Sequence, residues 1–187
     1  GIFRAYDIRG IYPSELNEEV AFKVGAAFGT FNPGRIVLGS DSRLSSPSLK
    51  DALRRGLLST GVTVIDVGLV STPMVIFTTA YYKYDGGVMV TASHNPKEYN
   101  GFKFNDGKGV PISYESGINK IQGVYKRGEF VKGRGETLTR DVTSDYAGHL
   151  LSNIRLKPPI NLEVVVDAGN GVTGLINPII LRKMGVT

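Results

Sequence analysis

Arg35-Ile36-Val37-Leu38-Gly39, Val62-Thr63-Val64-Ile65-Asp66-Val67 and Gly87-Val88-Met89-Val90-Thr91 are three short apolar runs. Each has the length and apolar content of a buried strand. Two helix openings of the same kind separate them. Ser46-Pro47 reads as a cap followed by proline at the first helical position. The helix it opens carries Leu49, Leu53, Leu57 and Leu58, and Gly61 fits its end. Thr72-Pro73 opens a second helix running to about Tyr82. Strand–helix–strand–helix–strand is the pattern of an α/β sheet with right-handed crossovers. The expected fold is a mixed, mostly parallel sheet sandwiched between helices, a three-layer α/β/α arrangement.

On the amino-terminal side, Glu18 and Glu19 follow Asn17, and Val20, Val24, Ala27, Phe28 and Phe31 recur at helical spacing. On the carboxyl-terminal side the rhythm changes. Gly101-Phe102-Lys103-Phe104 and Val110-Pro111-Ile112 read as a short hairpin around Asn105-Asp106-Gly107. Residues 114 to 125 read as a helix, 126 to 138 as a glycine- and charge-rich loop, and 140 to 154 as a helix. Pro158-Pro159 is the linker candidate. Beyond it, Leu162 to Asp167 reads as a strand and Val172 to Met184 as a helix. One strand and one helix cannot bury a core alone. The expectation is a domain over residues 1–157, then a linker and the truncated start of a second domain over 158–187.

The composition excludes several classes of function. The 187 residues are 41% hydrophobic and 21% charged, as in ordinary globular proteins. No apolar run approaches the roughly 20 residues of a membrane helix, so no membrane role and a cytoplasmic setting are expected. There is no cysteine, hence no disulfide, thiolate nucleophile or cysteine metal site. His94 and His149 are the only histidines, too few for an all-histidine zinc site. The net charge is +5, but the cations are scattered. The densest stretch, Lys126 to Arg134, also holds Glu129. An anionic small substrate suits this balance, and nucleic acid is not expected as a partner.

The turn after the third run, Thr91-Ala92-Ser93-His94-Asn95-Pro96, falls where open α/β sheets place their ligands. It presents a small hydroxyl where the chain leaves the sheet. Asn95-Pro96 is a turn pair, and Tyr99-Asn100-Gly101-Phe102-Lys103 can return a cation toward the serine. Neighbours on an extended chain point apart, so adjacency alone does not couple His94 to Ser93. On these residues alone, an ordinary polar turn fits as well as a site.

The longer string from Thr91 to Lys103 resembles the active-site loop of the α-D-phosphohexomutases, a family that includes phosphomannomutase/phosphoglucomutase. Phe3-Arg4-Ala5-Tyr6-Asp7-Ile8-Arg9-Gly10 resembles that family's opening segment. Gly39 to Ser46 and Asp66 to Pro73 resemble further segments in the same order, and Val164 to Gly171 resembles the start of the family's second domain. The resemblance covers essentially the whole chain.

It implies an isomerase that interconverts hexose 1-phosphate and 6-phosphate, with mannose or glucose as the sugar, through a phosphoserine and a hexose bisphosphate. Ser93 would carry the phosphoryl group, His94 would contact it, and Lys103 would hydrogen-bond it or act as acid or base. Arg9 and Tyr6 would bind the substrate. Mg²⁺ would sit on the phosphate of Ser93 and on an aspartate-rich loop that this sequence lacks. The remaining domains would be partners, and the 187 residues alone are expected to bind Mg²⁺ weakly and not to turn over. Asp41 and Arg43 read as a pair that holds a loop, and His149 as structural.

Two other readings stay open. A non-catalytic phosphosugar-binding domain could keep the same loop. Gly169-Asn170-Gly171-Val172-Thr173-Gly174 matches a dinucleotide fingerprint after an expected strand, although a complete βαβ unit is not available to support it.

Overall fold

The computed structural model describes residues 1–154 and 162–186. Its centre is a six-stranded sheet formed by β1 (Ile8–Ile11), β2 (Arg35–Ser40), β3 (Thr63–Leu69), β4 (Gly86–Val90), β5 (Tyr99–Asp106) and β6 (Thr137–Thr139). The spatial order is β1-β5-β4-β2-β3-β6. β4, β2, β3 and β6 run parallel, while β5 pairs antiparallel with both β4 and β1.

The helices are α1 (Glu18–Phe31), α2 (Ser46–Leu58), α3 (Thr72–Tyr81), α4 (Asn119–Arg127), α5 (Thr143–Asn153) and α6 (Thr173–Lys183). The pleat decides which face each helix covers. Ile36, Leu38, Val64, Val88 and Val90 point into one apolar core, shared with Val24 and Phe28 of α1, Leu49 and Leu53 of α2 and Ile121 of α4. The alternate residues Val37, Ile65, Val67 and Met89 point into the other, with Met74 and Val75 of α3 and Ile176 of α6. Apolar residues on both faces explain why β2 and β4 are almost continuously hydrophobic. The sheet between two helix layers is the expected α/β/α fold.

The expected helix starts are found, with a difference in detail at the two proline-led helices, whose cap positions fall at Ser45 and Ser71. Asn17 caps α1, its side chain accepting a hydrogen bond from Val20 N. Ser46 does not cap α2; it is already the first helical residue, and its hydroxyl donates instead to Asp41.

Two expectations need correction, and a third holds in part. The hairpin around Asn105-Asp106-Gly107 is present but short: the amide of Ile112 donates to the Phe104 carbonyl and that of Asp106 to the Val110 carbonyl, around the antiparallel bridge from Asn105 to Pro111. Gly101–Phe104 is also the middle of β5, which pairs with β4 along one edge and with β1 over Tyr99–Phe102 along the other. Burying Phe102 and Phe104 in the α1/α2 core requires that central position. The loop 126–138 ends in the edge strand β6, whose three residues are all exposed, so no apolar alternation marks it. Leu162 to Asp167 does not form a strand: no partner pairs with it among the described residues, and Val165 is 97% exposed. The dinucleotide reading thereby loses the strand it needs. Pro158-Pro159 and the boundary expected near residue 157 lie outside the described residues. The helix expected beyond them packs back onto the sheet layer through Val172 and Ile176.

α1 and α2 cross in close contact. A Cβ on Gly25 would collide with the carbonyl oxygen of Leu53, and one on Gly56 with that of Phe22. Alanine at Gly25 would gain about 1 kcal/mol of helix propensity but must push the helices apart, at about 1–3 kcal/mol. We expect Gly25→Ala to lower the urea midpoint of unfolding; a raised midpoint would show that the helices separate freely.

Candidate active site

β2 and β4 are neighbours, and Ser40 pairs with Val90. The residues that follow therefore leave the sheet side by side. Thr91 Oγ1 donates to Asp41 Oδ2 at 2.7 Å, and the amide of Ser93 donates to Thr91 Oγ1 at 2.9 Å. Asp41 Oδ1 accepts from the Ser46 hydroxyl at 2.5 Å and from the amide of Arg43 at 3.1 Å. The Asp41 carboxylate thus ties the ends of two strands to the start of α2.

Arg43 completes the arrangement. Its Nε lies 3.3 Å from Asp41 Oδ2. Its Nη1 donates to the carbonyls of Pro96 and Tyr99 at 2.7 and 2.9 Å, and its Nη2 to those of Ser93 and Asn95 at 3.0 and 2.6 Å. The fixed fork of a guanidinium can meet several acceptors in one plane, which a lysine ammonium cannot. Asn95 adds a bond from its side-chain amide to the Ala92 carbonyl, and Asn100 reaches the hydroxyls of Ser45 and Ser46. Asp41 and Arg43 hold the loop, as their sequence suggested.

Ser93 stands at the apex of this loop with φ of +57°, a left-handed conformation that costs energy for a residue with a side chain. Its hydroxyl is exposed and lies 3.3 Å from His94 Nδ1. The two adjacent side chains meet because the chain is not extended at Ser93. A cleft of about 930 Å³ opens over the loop, with Ser93, Thr91, Met89 and Thr72 in its wall.

Thr72 and Met89 also border a smaller pocket of about 140 Å³ that Tyr6 and Lys103 line. Tyr6 is 73% exposed, so it is not a packing residue. Lys103 faces this side because β5 alternates, with Phe102 and Phe104 buried on the other face. Arg9 lies on β1 opposite Gly101 and lines a third cleft with Arg4, Asn95, Pro96 and Tyr99. Arg9 and Lys103 meet at Asp7: Arg9 Nη2 reaches both carboxylate oxygens at 3.1 and 3.0 Å, and Lys103 Nζ reaches Oδ2 at 3.2 Å. Neither cation hydrogen-bonds Ser93. The sequence reading singled out both cations but missed Asp7, which joins them; the spacing Asp7-x-Arg9 beside a strand was the available signal. His149 stacks on Phe77 of α3, 5.0 Å between ring centres, away from the loop.

Among the described residues, no group of three or more aspartate, glutamate or histidine side chains could hold a metal. Asp41, the carboxylate that reaches the serine loop, is fully engaged by hydroxyl, amide and guanidinium donors. No helix among the described residues is long and apolar enough to cross a membrane.

Comparison with known proteins agrees with this architecture. Residues 1–132 match the family model described as phosphoglucomutase/phosphomannomutase, alpha/beta/alpha domain I. A phosphomannomutase of Escherichia coli is 42% identical over 181 residues, covering 92% of this chain and 39% of that protein. Proteins of Xanthomonas campestris named phosphohexose mutases are 45% identical over 181 residues, covering 93% of this chain and 40% of theirs. A crystal structure of a phosphoglucomutase/phosphomannomutase family protein from Burkholderia thailandensis superposes with a TM-score of 0.89 at 36% identity, covering 99% of this chain and 42% of that one. The chain thus spans about two fifths of the length of these relatives.

Arg43→Ala removes a largely buried cation, takes the counter-charge from Asp41 and removes the side-chain donor to four carbonyls. We expect a loss of roughly 3 kcal/mol in stability, with faster hydrogen exchange confined to amides of residues 91–100. Unchanged exchange there would mean that the loop holds its shape without the guanidinium.

Proposed function

The chain belongs to the phosphoglucomutase/phosphomannomutase family, and on that footing we propose that residues 1–157 form the phosphoserine domain of an enzyme interconverting hexose 1-phosphate and hexose 6-phosphate. Mannose or glucose is the sugar, and a hexose 1,6-bisphosphate is the intermediate. The observation that carries the reading is the exposed Ser93 hydroxyl on a loop fixed by Arg43, with Arg9 of β1 and Lys103 of β5 joined at Asp7.

In the first step, the bond from phosphorus to Ser93 Oγ breaks and a bond to the free sugar hydroxyl forms. The hydroxyl proton passes by way of Lys103 or His94 to the serine oxygen. The bisphosphate then reorients, and its other phosphoryl group moves to Ser93 Oγ while the proton returns to the sugar oxygen. Phosphate is neither gained nor lost, so the net change is isomerisation.

Phosphoryl transfer is mostly positioning and charge stabilisation. The supporting features are of that kind. The carbonyl oxygens of Ser93, Asn95, Pro96 and Tyr99 are engaged by Arg43, which keeps the loop from collapsing onto the serine and leaves Oγ open to solvent. Arg9 can hold phosphate through a guanidinium edge, Lys103 can neutralise the transferring group, and exposed Tyr6 can border the sugar. Donors already fixed before reaction need no reorganisation during it. Mg²⁺ belongs to this proposal as a charge-neutralising ion whose carboxylate ligands lie outside this chain, and no step is derived through it. The remaining domains complete the site, and the 187 residues alone bind hexose phosphate without isomerising it.

Ser93→Ala tests the reading in the polypeptide that carries those further domains. A phosphoryl carrier predicts that turnover falls by at least about 10³-fold while hexose phosphate still binds. Retained turnover would remove Ser93 from the chemistry. Lys103→Ala is expected to slow turnover by about 10²–10⁴-fold; an effect on KM alone would reduce Lys103 to a binding group.

A further inference from the structure

Asp7 has no task in the transfer just described, yet it is only 4% exposed and both site cations turn to it. Arg9 spans its two oxygens, and Lys103 shares one of them. The cations themselves keep about a third of their side-chain surface open, 33% for Arg9 and 32% for Lys103. The Nε of Arg9 is buried without a hydrogen-bond partner, and Asp7 holds the guanidinium through Nη2 alone. We propose that Asp7 is a positioning residue for substrate phosphate: an internal carboxylate that seats Arg9 and Lys103 at one point and weakens their combined pull on an arriving anion. This rests on the reading of the site as a phosphohexose site.

Two cations with a carboxylate between them present one net positive charge to the cleft; without it they present two. At such short range in a partly buried site the difference is large on the scale of binding. A site that must accept one phosphate and release another gains nothing from uniformly tight binding, which lowers KM without raising turnover. A fixed, partly neutralised pair meets both needs. A carboxylate that acted only by seating the cations, with no effect of its charge on the arriving anion, would behave differently: its replacement by an amide would leave anion binding unchanged or weaker. The backbone of Asp7 is held separately, its carbonyl accepting from the amide of Arg4 at 2.8 Å, so an amide side chain of the same shape leaves the local chain in place.

The test is titration of the 187-residue chain with inorganic phosphate and with glucose 1-phosphate at constant ionic strength. Asp7→Asn is expected to bind both anions about three- to tenfold more tightly, and Asp7→Glu, which keeps the charge, to bind like the native chain. In an Asp7→Asn/Lys103→Ala double variant the gain should disappear. Equal or weaker binding by Asp7→Asn, with Lys103→Ala and Arg9→Ala still losing affinity, overturns the role of Asp7 and leaves the site intact. Unchanged affinity in Lys103→Ala and Arg9→Ala overturns the phosphate site itself, as does a native chain that binds neither anion.

Discussion

The Arg43 guanidinium meets the carbonyls of Ser93, Asn95, Pro96 and Tyr99 while its Nε faces Asp41. Three of those carbonyls belong to the turn between β4 and β5, and the fourth, that of Tyr99, to the first residue of β5. A carbonyl shielded from water without a donor costs about as much as a lost hydrogen bond, and Arg43 supplies a donor to all four at once. Asp41 in turn keeps the guanidinium in place, and it is fixed because β2 and β4 are adjacent and parallel. The order of strands in the sheet therefore reaches the serine through two side chains. The left-handed backbone at Ser93 persists because its surroundings over-determine it.

The rest of the site depends on β5. Its antiparallel pairing with β4 and β1 brings Arg9 and Lys103 within reach of one carboxylate, although they are far apart in sequence. A crossover helix between β4 and β5 would have put Lys103 elsewhere. The direct return through the serine loop allows the loop and the cation strand to share a rim, and the Thr72 and Met89 side chains line both clefts there.

Much of this was legible in the sequence. The parallel core followed from β-branched runs and proline-started helices, because those signals are local. Ser93, His94, Lys103, Arg9 and Tyr6 were recognisable as a set through resemblance; in the structure Ser93, Tyr6 with Lys103, and Arg9 line three separate clefts. Three things were not legible. β1 and β6 are edge strands with little alternation, and their pairing is decided by neighbours far along the chain. Ser46 looked like a cap because serine before proline usually is one, but its hydroxyl had a stronger acceptor in Asp41. Asp7 looked like part of a polar opening segment. Its meaning comes from Lys103, 96 positions later.

The central claim is that Ser93 carries the phosphoryl group. Its most direct test is peptide mapping by mass spectrometry after the complete polypeptide has been incubated with a hexose 1,6-bisphosphate and Mg²⁺. One phosphate on Ser93, transferred to added hexose 1-phosphate on chase, is the predicted result. Phosphate on another residue such as Ser45 or Ser46, or a protein that stays unmodified while isomerising its substrate, would contradict it.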